Sequence, residues 1–299
     1  MCGIAGYYSF GSTIPDKEKI TVMFSLLESR GRDASGYAYL NNGELKVNKA
    51  PIRSSEMVTT TEWKKLTLPK TMILHARAKT QGSEKNNANN HPLFNKQGLC
   101  IVHNGIIYND REIFGKDQIR HGEVDSEAIL AVLSSKGKGD KIKRVFERLE
   151  GSFSFAAIDK QSPEQLILVK KDNPLDLYYN VKEDILYFCS ERDIMREAFG
   201  IKSNTKRGFN TGEGDYHYYE MENNHALILN GEGVESYKRY SPRKDNWLNR
   251  NYNLYMNKGD ELFIECPWCT EITLFYPGKL INRCRVCGME INEEDIIYV

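Results

Sequence analysis

The chain has 299 residues, more than the roughly 100–200 of one domain, so a large domain with a small companion is the first expectation. Lys plus Arg and Asp plus Glu number 41 each, so bulk charge provides no attraction for a polyanion. The composition, 40% hydrophobic and 27% charged, excludes a disordered chain, and no apolar run of about 18 residues exists to span a membrane. The start, Met1-Cys2-Gly3-Ile4-Ala5-Gly6, lacks the basic segment of a secretory signal, which points to the cytoplasm.

Ile4–Phe10 reads as a first strand. Pro15–Ser29 carries Ile20, Met23, Phe24, Leu26 and Leu27 at helical spacing, with Thr13 as a possible cap. Strand-like runs follow at Gly36–Leu40, Leu45–Val47, Thr71–His75 and Cys100–Ile107. Asp125–Leu133 and Lys141–Leu149 are helical patterns. Ser152–Ile158, Gln165–Val169 and Ile185–Cys189 read as strands, Glu191–Phe199 as a helix, and Tyr216–Met221 and Ala226–Leu229 as closing strands. This order lacks the regular alternation of a doubly wound sheet and fits two packed antiparallel sheets with helices outside. Residues 241–260 have little periodicity and read as a linker. Residues 261–299 are too few for a large core.

Seven cysteines are present, and four form two C-x-x-C pairs. Cys266 and Cys269, fourteen intervening residues, then Cys284 and Cys287 give each pair the spacing of a metal knuckle. Four thiolates at about 2.3 Å suit tetrahedral zinc and leave no open position, so such a metal is structural. A redox dithiol is the alternative reading of either pair. Strand-like segments at Glu271–Tyr276 and Ile291–Val299 make residues 261–299 resemble a zinc ribbon. Lys279, Arg283, Arg285 and Trp268 offer that ribbon a basic, aromatic surface for nucleic acid, offset by Glu290, Glu293, Glu294 and Asp295; docking to a protein is the other reading. Cys100 and Cys189 lie in apolar runs and are expected to be buried and inert.

Cys2 is different. Removal of Met1 exposes a residue with both a thiol, of pKa about 8.5, and an α-amine, of pKa about 7.7–8.0. The amine accepts the thiol's proton, so one residue supplies nucleophile and base. The competing reading is a small apolar residue opening a strand.

The residues around Cys2 resemble a known family. Met1-Cys2-Gly3-Ile4-Ala5-Gly6, Arg30-Gly31-Arg32-Asp33-Ala34-Ser35-Gly36, His75-Ala76-Arg77-Ala78-Lys79-Thr80-Gln81-Gly82, Asn89-Asn90-His91-Pro92, His103-Asn104-Gly105-Ile106-Ile107-Tyr108-Asn109 and Asp125-Ser126-Glu127 follow the order of motifs in class II glutamine amidotransferases. The resemblance is strongest to the glutaminase domain of glucosamine-phosphate synthases and covers residues 2 to about 230. It implies an α+β fold, the four-layer αββα sandwich of amino-terminal-nucleophile hydrolases over residues 2–240, followed by the four-cysteine ribbon.

It also implies roles. Cys2 is the nucleophile, the Asn104 side-chain amide and the Gly105 N–H donate to the oxyanion, and Arg30 lies close to the nucleophile. Donors of that kind are worth roughly 2.7–4 kcal/mol each. Arg77 holds the glutamine carboxylate in a bidentate fork. Asp125 pairs with the ammonium group, and Thr80 and Gln81 border the pocket. His75 and His103 read as hydrogen-bonded structural residues, and Lys171-Asp172-Asn173-Pro174-Leu175 as a scaffold turn. Where the family has Trp after the pocket arginine this chain has Ala78, which puts in doubt a lid at that position and tight coupling to an acceptor.

The expected function is hydrolysis of the glutamine side-chain amide through a Cys2 thioester. The ammonia passes to an acceptor on a separate synthetase or amidoligase subunit, because a module of about 40 residues is too short for acceptor chemistry. Zinc is the only expected cofactor and none is expected in catalysis. Two alternatives stand: an amidohydrolase of other γ-glutamyl or acyl amides, and a degenerate binding module that works through the ribbon.

Overall fold

The computed structural model describes residues 2–114, 120–136, 139–201, 212, 213, 215–242, 262–265, 269, 272–275, 282, 283, 287 and 289–291. It divides into two units, residues 1–243 and 244–299.

The first unit opens with β1 (Gly3–Ser9), α1 (Lys17–Leu26), β2 (Ala34–Asn41) and β3 (Glu44–Ala50), then two short helices, α2 (Ser54–Met57) and α3 (Thr61–Lys65). Next come β4 (Thr71–Arg77), β5 (Leu93–Phe94), β6 (Leu99–Ile107), α4 (Asp110–Phe114), α5 (Glu127–Ser134) and α6 (Lys141–Arg148). The unit closes with β7 (Gly151–Asp159), β8 (Ser162–Lys171), β9 (Asp176–Asn180), β10 (Ile185–Cys189), α7 (Arg192–Phe199), β11 (Gly212–Glu213), β12 (Tyr216–Glu220), β13 (His225–Asn230) and β14 (Gly233–Arg239). An eight-stranded sheet runs β11-β12-β9-β10-β1-β4-β2-β3 and a six-stranded sheet runs β14-β13-β8-β7-β6-β5.

Three apolar layers hold these elements. In the outer layer on the larger sheet, Ile20, Met23 and Phe24 of α1 and Ile194, Met195, Ala198 and Phe199 of α7 meet Ala5, Tyr7, Met72 and Leu74. On the smaller sheet, Ile142, Val145 and Phe146 of α6 and Ala128, Ile129 and Val132 of α5 meet Ile101, Phe153 and Phe155. Between the sheets lie Ile4, Tyr8, Ile73, Cys100, Val102, Ala156 and Leu168. Each strand alternates between an inner and an outer layer, as a period of two requires, so the order of layers is helix, sheet, sheet, helix.

The first helix departs from its sequence reading. It starts at Lys17, and its cap is Asp16, not Thr13: the Asp16 carboxylate accepts the Glu18 N–H at 2.8 Å. Asp is a strong N-cap, and Asp16 has the extended backbone of one, φ −61° and ψ 119°. The Thr13 carbonyl instead accepts the Ser9 hydroxyl. Cys100 and Cys189 are fully buried, and burial pushes the Cys100 thiol up and that of Cys189 to about 12. No helix among the described residues is long and apolar enough to cross a membrane.

In the second unit, β15 (Leu262–Glu265) pairs antiparallel with β16 (Ile272–Phe275), and β17 (Asn282–Arg283) with β18 (Glu290–Ile291). The cysteine pairs fall in the two connections. Cys269 is partly exposed and Cys287 exposed, while Cys266 and Cys284 lie outside the described residues, as does the expected linker apart from residues 241 and 242. No group of metal ligands is present among the described residues.

Three buried imidazoles sit together in the first unit. His75 stacks on His91 with ring centroids 4.2 Å apart, and His103 lies 6.4 Å from His91. The His75 Nε2 donates to the His103 carbonyl at 3.0 Å, because a carbonyl only accepts, and His103 Nδ1 meets the Ser126 hydroxyl at 2.7 Å. Burial lowers all three pKa values, that of His75 to about 3. The unfolded chain protonates these residues near pH 6.5 while the folded chain refuses the proton, so their contribution to stability is complete above that pH and is lost as pH falls below it. The expected slope is about 1.4 kcal/mol per pH unit for each imidazole. Urea midpoints measured from pH 7 to 5 should fall steeply, and H91N should flatten the slope by about one proton's worth.

Candidate active site

Alternation along three strands builds one end of the inter-sheet layer. In β1, Ile4 and Tyr8 face inward, so Cys2 continues that face; in β4, Ile73 faces inward, and so do His75 and Arg77; in β6, Cys100 and Val102 face inward, and so does Asn104. The β1–β4 register pairs Gly3 with Ala76, which sets Cys2 beside Arg77, and the His75–His103 contact brings β6 to the same end.

The Cys2 thiol donates to the Ala78 carbonyl at 3.4 Å. Burial raises its pKa, against the Ala78 bond and the positive charge of Arg77, while Asp125 adds to the rise. Gly3 is closely packed: a Cβ there would lie 2.8 Å from Arg30 Cβ and from Leu27. Arg30 Nε donates to the Cys2 carbonyl at 3.3 Å and Nη1 to Glu191 Oε1 at 2.7 Å.

Asn104 is completely buried, and among the described residues neither its amide nitrogen nor its amide oxygen has a partner. A buried amide left with both functions open is rare and calls for a ligand. Gly105, next to it, has φ of +140°. A Cβ at this position would lie 2.1 Å from the Ser152 carbonyl, so only glycine brings the backbone this close. Behind it the 171–175 turn braces β7: the buried Lys171 amine donates to the Gly151 carbonyl, Asn173 Nδ2 to Ser152 Oγ at 2.6 Å, and Ser154 Oγ to the Asn173 carbonyl at 2.8 Å.

Arg77 is buried and held from the loop that follows it. Nη1 donates to Asn90 Oδ1 at 2.8 Å, and Nη2 to the carbonyls of Gln81 at 2.5 Å and Gly82 at 2.9 Å. Burial lowers its pKa, opposed by Cys2, Asp33, Glu84 and Asp125. Thr80 and Gln81 are exposed, so it is the Gln81 backbone, and not its side chain, that meets Arg77. Asp125 is buried two residues before α5; its Oδ2 accepts the Ile107 N–H at 2.6 Å and its Oδ1 the Ser126 hydroxyl at 3.4 Å. Of the predicted residues, Cys2, Arg30, Arg77, Asn104, Gly105 and Asp125 therefore lie on one connected set of elements. Sequence reasoning missed Asn90, which orients Arg77, Asp33, whose carboxylate holds the Lys79 N–H at 2.7 Å, and the Ser190–Glu191 pair. Asn90 and Asp33 lie inside quoted motifs; nothing marks Glu191.

Residues 75–197 match the model of a glutamine amidotransferase domain. The glutamine–fructose-6-phosphate aminotransferase (isomerizing) of Aquifex aeolicus is 34% identical over 185 residues, 58% of this chain and 30% of that protein. Its Helicobacter pylori counterpart is 33% identical over 274 residues, 86% of this chain and 42% of that protein. The chain thus spans less than half the length of these curated relatives. Among solved structures, the glutamine phosphoribosylpyrophosphate amidotransferase of B. subtilis, complexed with ADP and GMP, has a TM-score of 0.62 at 20% identity, covering 80% of this chain and 49% of that one. A glutamine aminotransferase class-II domain protein from Silicibacter pomeroyi reaches 0.51 at 16% identity, covering 81% of this chain and all (100%) of that one. Taken with the two-sheet fold these proteins share, the sequence match identifies the chain as carrying a class II glutamine amidotransferase domain.

Proposed function

We propose that this domain hydrolyses the side-chain amide of glutamine through a thioester on Cys2, after removal of Met1, in an amino-terminal-nucleophile fold. The observation that carries the reading is the buried, unpartnered Asn104 amide next to Gly105, at the end of the inter-sheet layer that Cys2 faces. The α-amine of Cys2 takes the thiol proton and the sulfur attacks the amide carbon. The carbonyl oxygen, now negative, accepts from Asn104 Nδ2 and the Gly105 N–H. The ammonium returns its proton to the departing nitrogen, ammonia leaves and the thioester remains. Water then attacks with the same amine as base, and glutamate departs.

Arg77 binds the α-carboxylate and Asp125 the α-ammonium in this reading. The short backbone bonds that fix both side chains support it, since a clamp held in place gives orientation at low entropic cost. Thr80 and Gln81 shape the rim through their backbone. The exposed position of Lys79, Thr80 and Gln81 supports a pocket closed by another segment. The names of the relatives describe amino transfer from glutamine to a sugar phosphate; for this chain we assign the glutamine half of such a transfer, with the acceptor on a separate synthetase subunit. We also assign a structural zinc to Cys266, Cys269, Cys284 and Cys287. The fit rests on two short antiparallel ribbons with one C-x-x-C pair in the connection of each. When bound, the metal ties the two ribbons together and takes no part in hydrolysis.

Intact mass should show loss of one methionine, and C2S should abolish ammonia release from glutamine; a retained Met1 in fully active protein sinks the scheme. N104A should lower kcat about 10²–10³-fold with KM little changed; a rise in KM alone would move Asn104 to ground-state binding. Metal analysis should find one zinc per chain, lost in C269S or C287S, with ammonia release retained. Zero or two zincs in the intact protein count against the assignment.

A further inference from the structure

Resting on the Cys2 reading above, we infer that Glu191 is a positioning residue for the nucleophile, acting through Arg30. Cys2 lies just outside the paired part of β1, where pairing with β4 begins at Gly3 and with β10 at Ala5. A residue at a chain end, beyond the ladder, frays unless tied down. The sulfur's bond to the Ala78 carbonyl must break for attack, which leaves the Arg30 Nε bond to the Cys2 carbonyl as the tether that persists through the reaction.

Arg30 holds that carbonyl only while its own fork is fixed. Its side chain is 13% exposed, and among the described residues Nη2 has no partner and the single carboxylate on the guanidinium is that of Glu191, 2.7 Å from Nη1 and 161 residues away along the chain. Glu191 stands at the N-cap of α7 in an extended conformation, φ −134° and ψ 126°, yet its side chain makes no bond to the helix. The shorter Asp or Asn at that position turns back to cap the helix N–H groups, which the longer Glu191 does not do. Here it reaches across to Arg30 instead. Its neighbour completes the grip: Ser190 Oγ accepts the Ile4 N–H at 2.9 Å, and the Ser190 N–H donates to the Ile4 carbonyl at 2.8 Å. The Ser190–Glu191 dipeptide therefore fixes the chain on both sides of Gly3, directly through Ile4 and indirectly through Arg30.

Without the carboxylate, Arg30 is a poorly solvated cation with two free nitrogens and turns toward solvent or the acidic groups of the pocket. The Cys2 carbonyl is released, and the distance from sulfur to substrate carbon is no longer set. Glu191 makes no contact with glutamine in this scheme, so the loss falls on kcat.

The test is ammonia release against glutamine concentration for the full-length wild type, E191A, E191Q, E191D, R30A and R30A/E191A, with C2S as the inactive reference. E191A should lower kcat about 10- to 100-fold with KM within about twofold. E191D should recover part of the loss, and the double variant should be no slower than R30A alone, since both changes remove one device. Rates are normalised to folded protein by circular dichroism, and E191Q, of nearly the same shape, replaces E191A if the latter does not fold. A wild-type kcat in both variants, a change confined to KM, or additive losses in the double variant overturns the role of Glu191 while leaving the Cys2 chemistry intact. Wild type as inert as C2S overturns the Cys2 reading itself.

Discussion

The pairing of β1 with β4 governs where every other group at the site falls, because the period of two in a strand leaves no freedom once the register is set. With Gly3 opposite Ala76, the residues on either side of that pair, Cys2 and Arg77, face into the gap between the sheets. A slip of one residue would turn Arg77 into the apolar layer under α1 and carry Ala76 to the site. Ile4, Ile73 and Val102 on the inner face, against Ala5, Met72 and Ile101 on the outer, make that slip prohibitive through burial alone. The reactive end of the sandwich is thus an extension of its hydrophobic pattern, with polar side chains taking the last inward positions.

Much of this was legible in the chain. Helices such as Lys141–Arg148, with Ile142, Val145 and Phe146 on one face, and strands such as Thr71–Arg77 declare themselves by period, and the motif residues Cys2, Arg77 and Asn104 come to one end of the inter-sheet layer. What was not legible shares a cause. Asp16 was passed over for Thr13 because both are good caps and only the turn of the chain decides. The sequence places Gln81 at the border of the pocket but does not show that its carbonyl is what reaches Arg77. Glu191 lies in an ordinary acidic helix start, and its partner is on the far side of the sequence. Local patterns report local partners; contacts made by backbone atoms, or across long separations, leave no trace in composition or spacing.

The sequence reads His75 and His103 as hydrogen-bonded structural residues, and both have partners, whereas His91 has none on either nitrogen among the described residues. Burial disfavours the charged form of all three rings, so they stay neutral at a pH where free imidazoles take up a proton.

Gly105 and Gly151 lie on the paired strands β6 and β7, opposite Phe153 and Ile107 respectively, both with positive φ, and a Cβ on either would strike the opposing backbone at 2.1 Å and 2.0 Å. At both positions only glycine lets the two strands approach this closely. Drift in the amino acids here has nothing to work with, since any side chain is refused on steric grounds whatever its chemistry. Room for change lies instead in the segment that follows Arg77, where Lys79, Thr80, Gln81 and Ser83 are exposed beside the fixed arginine.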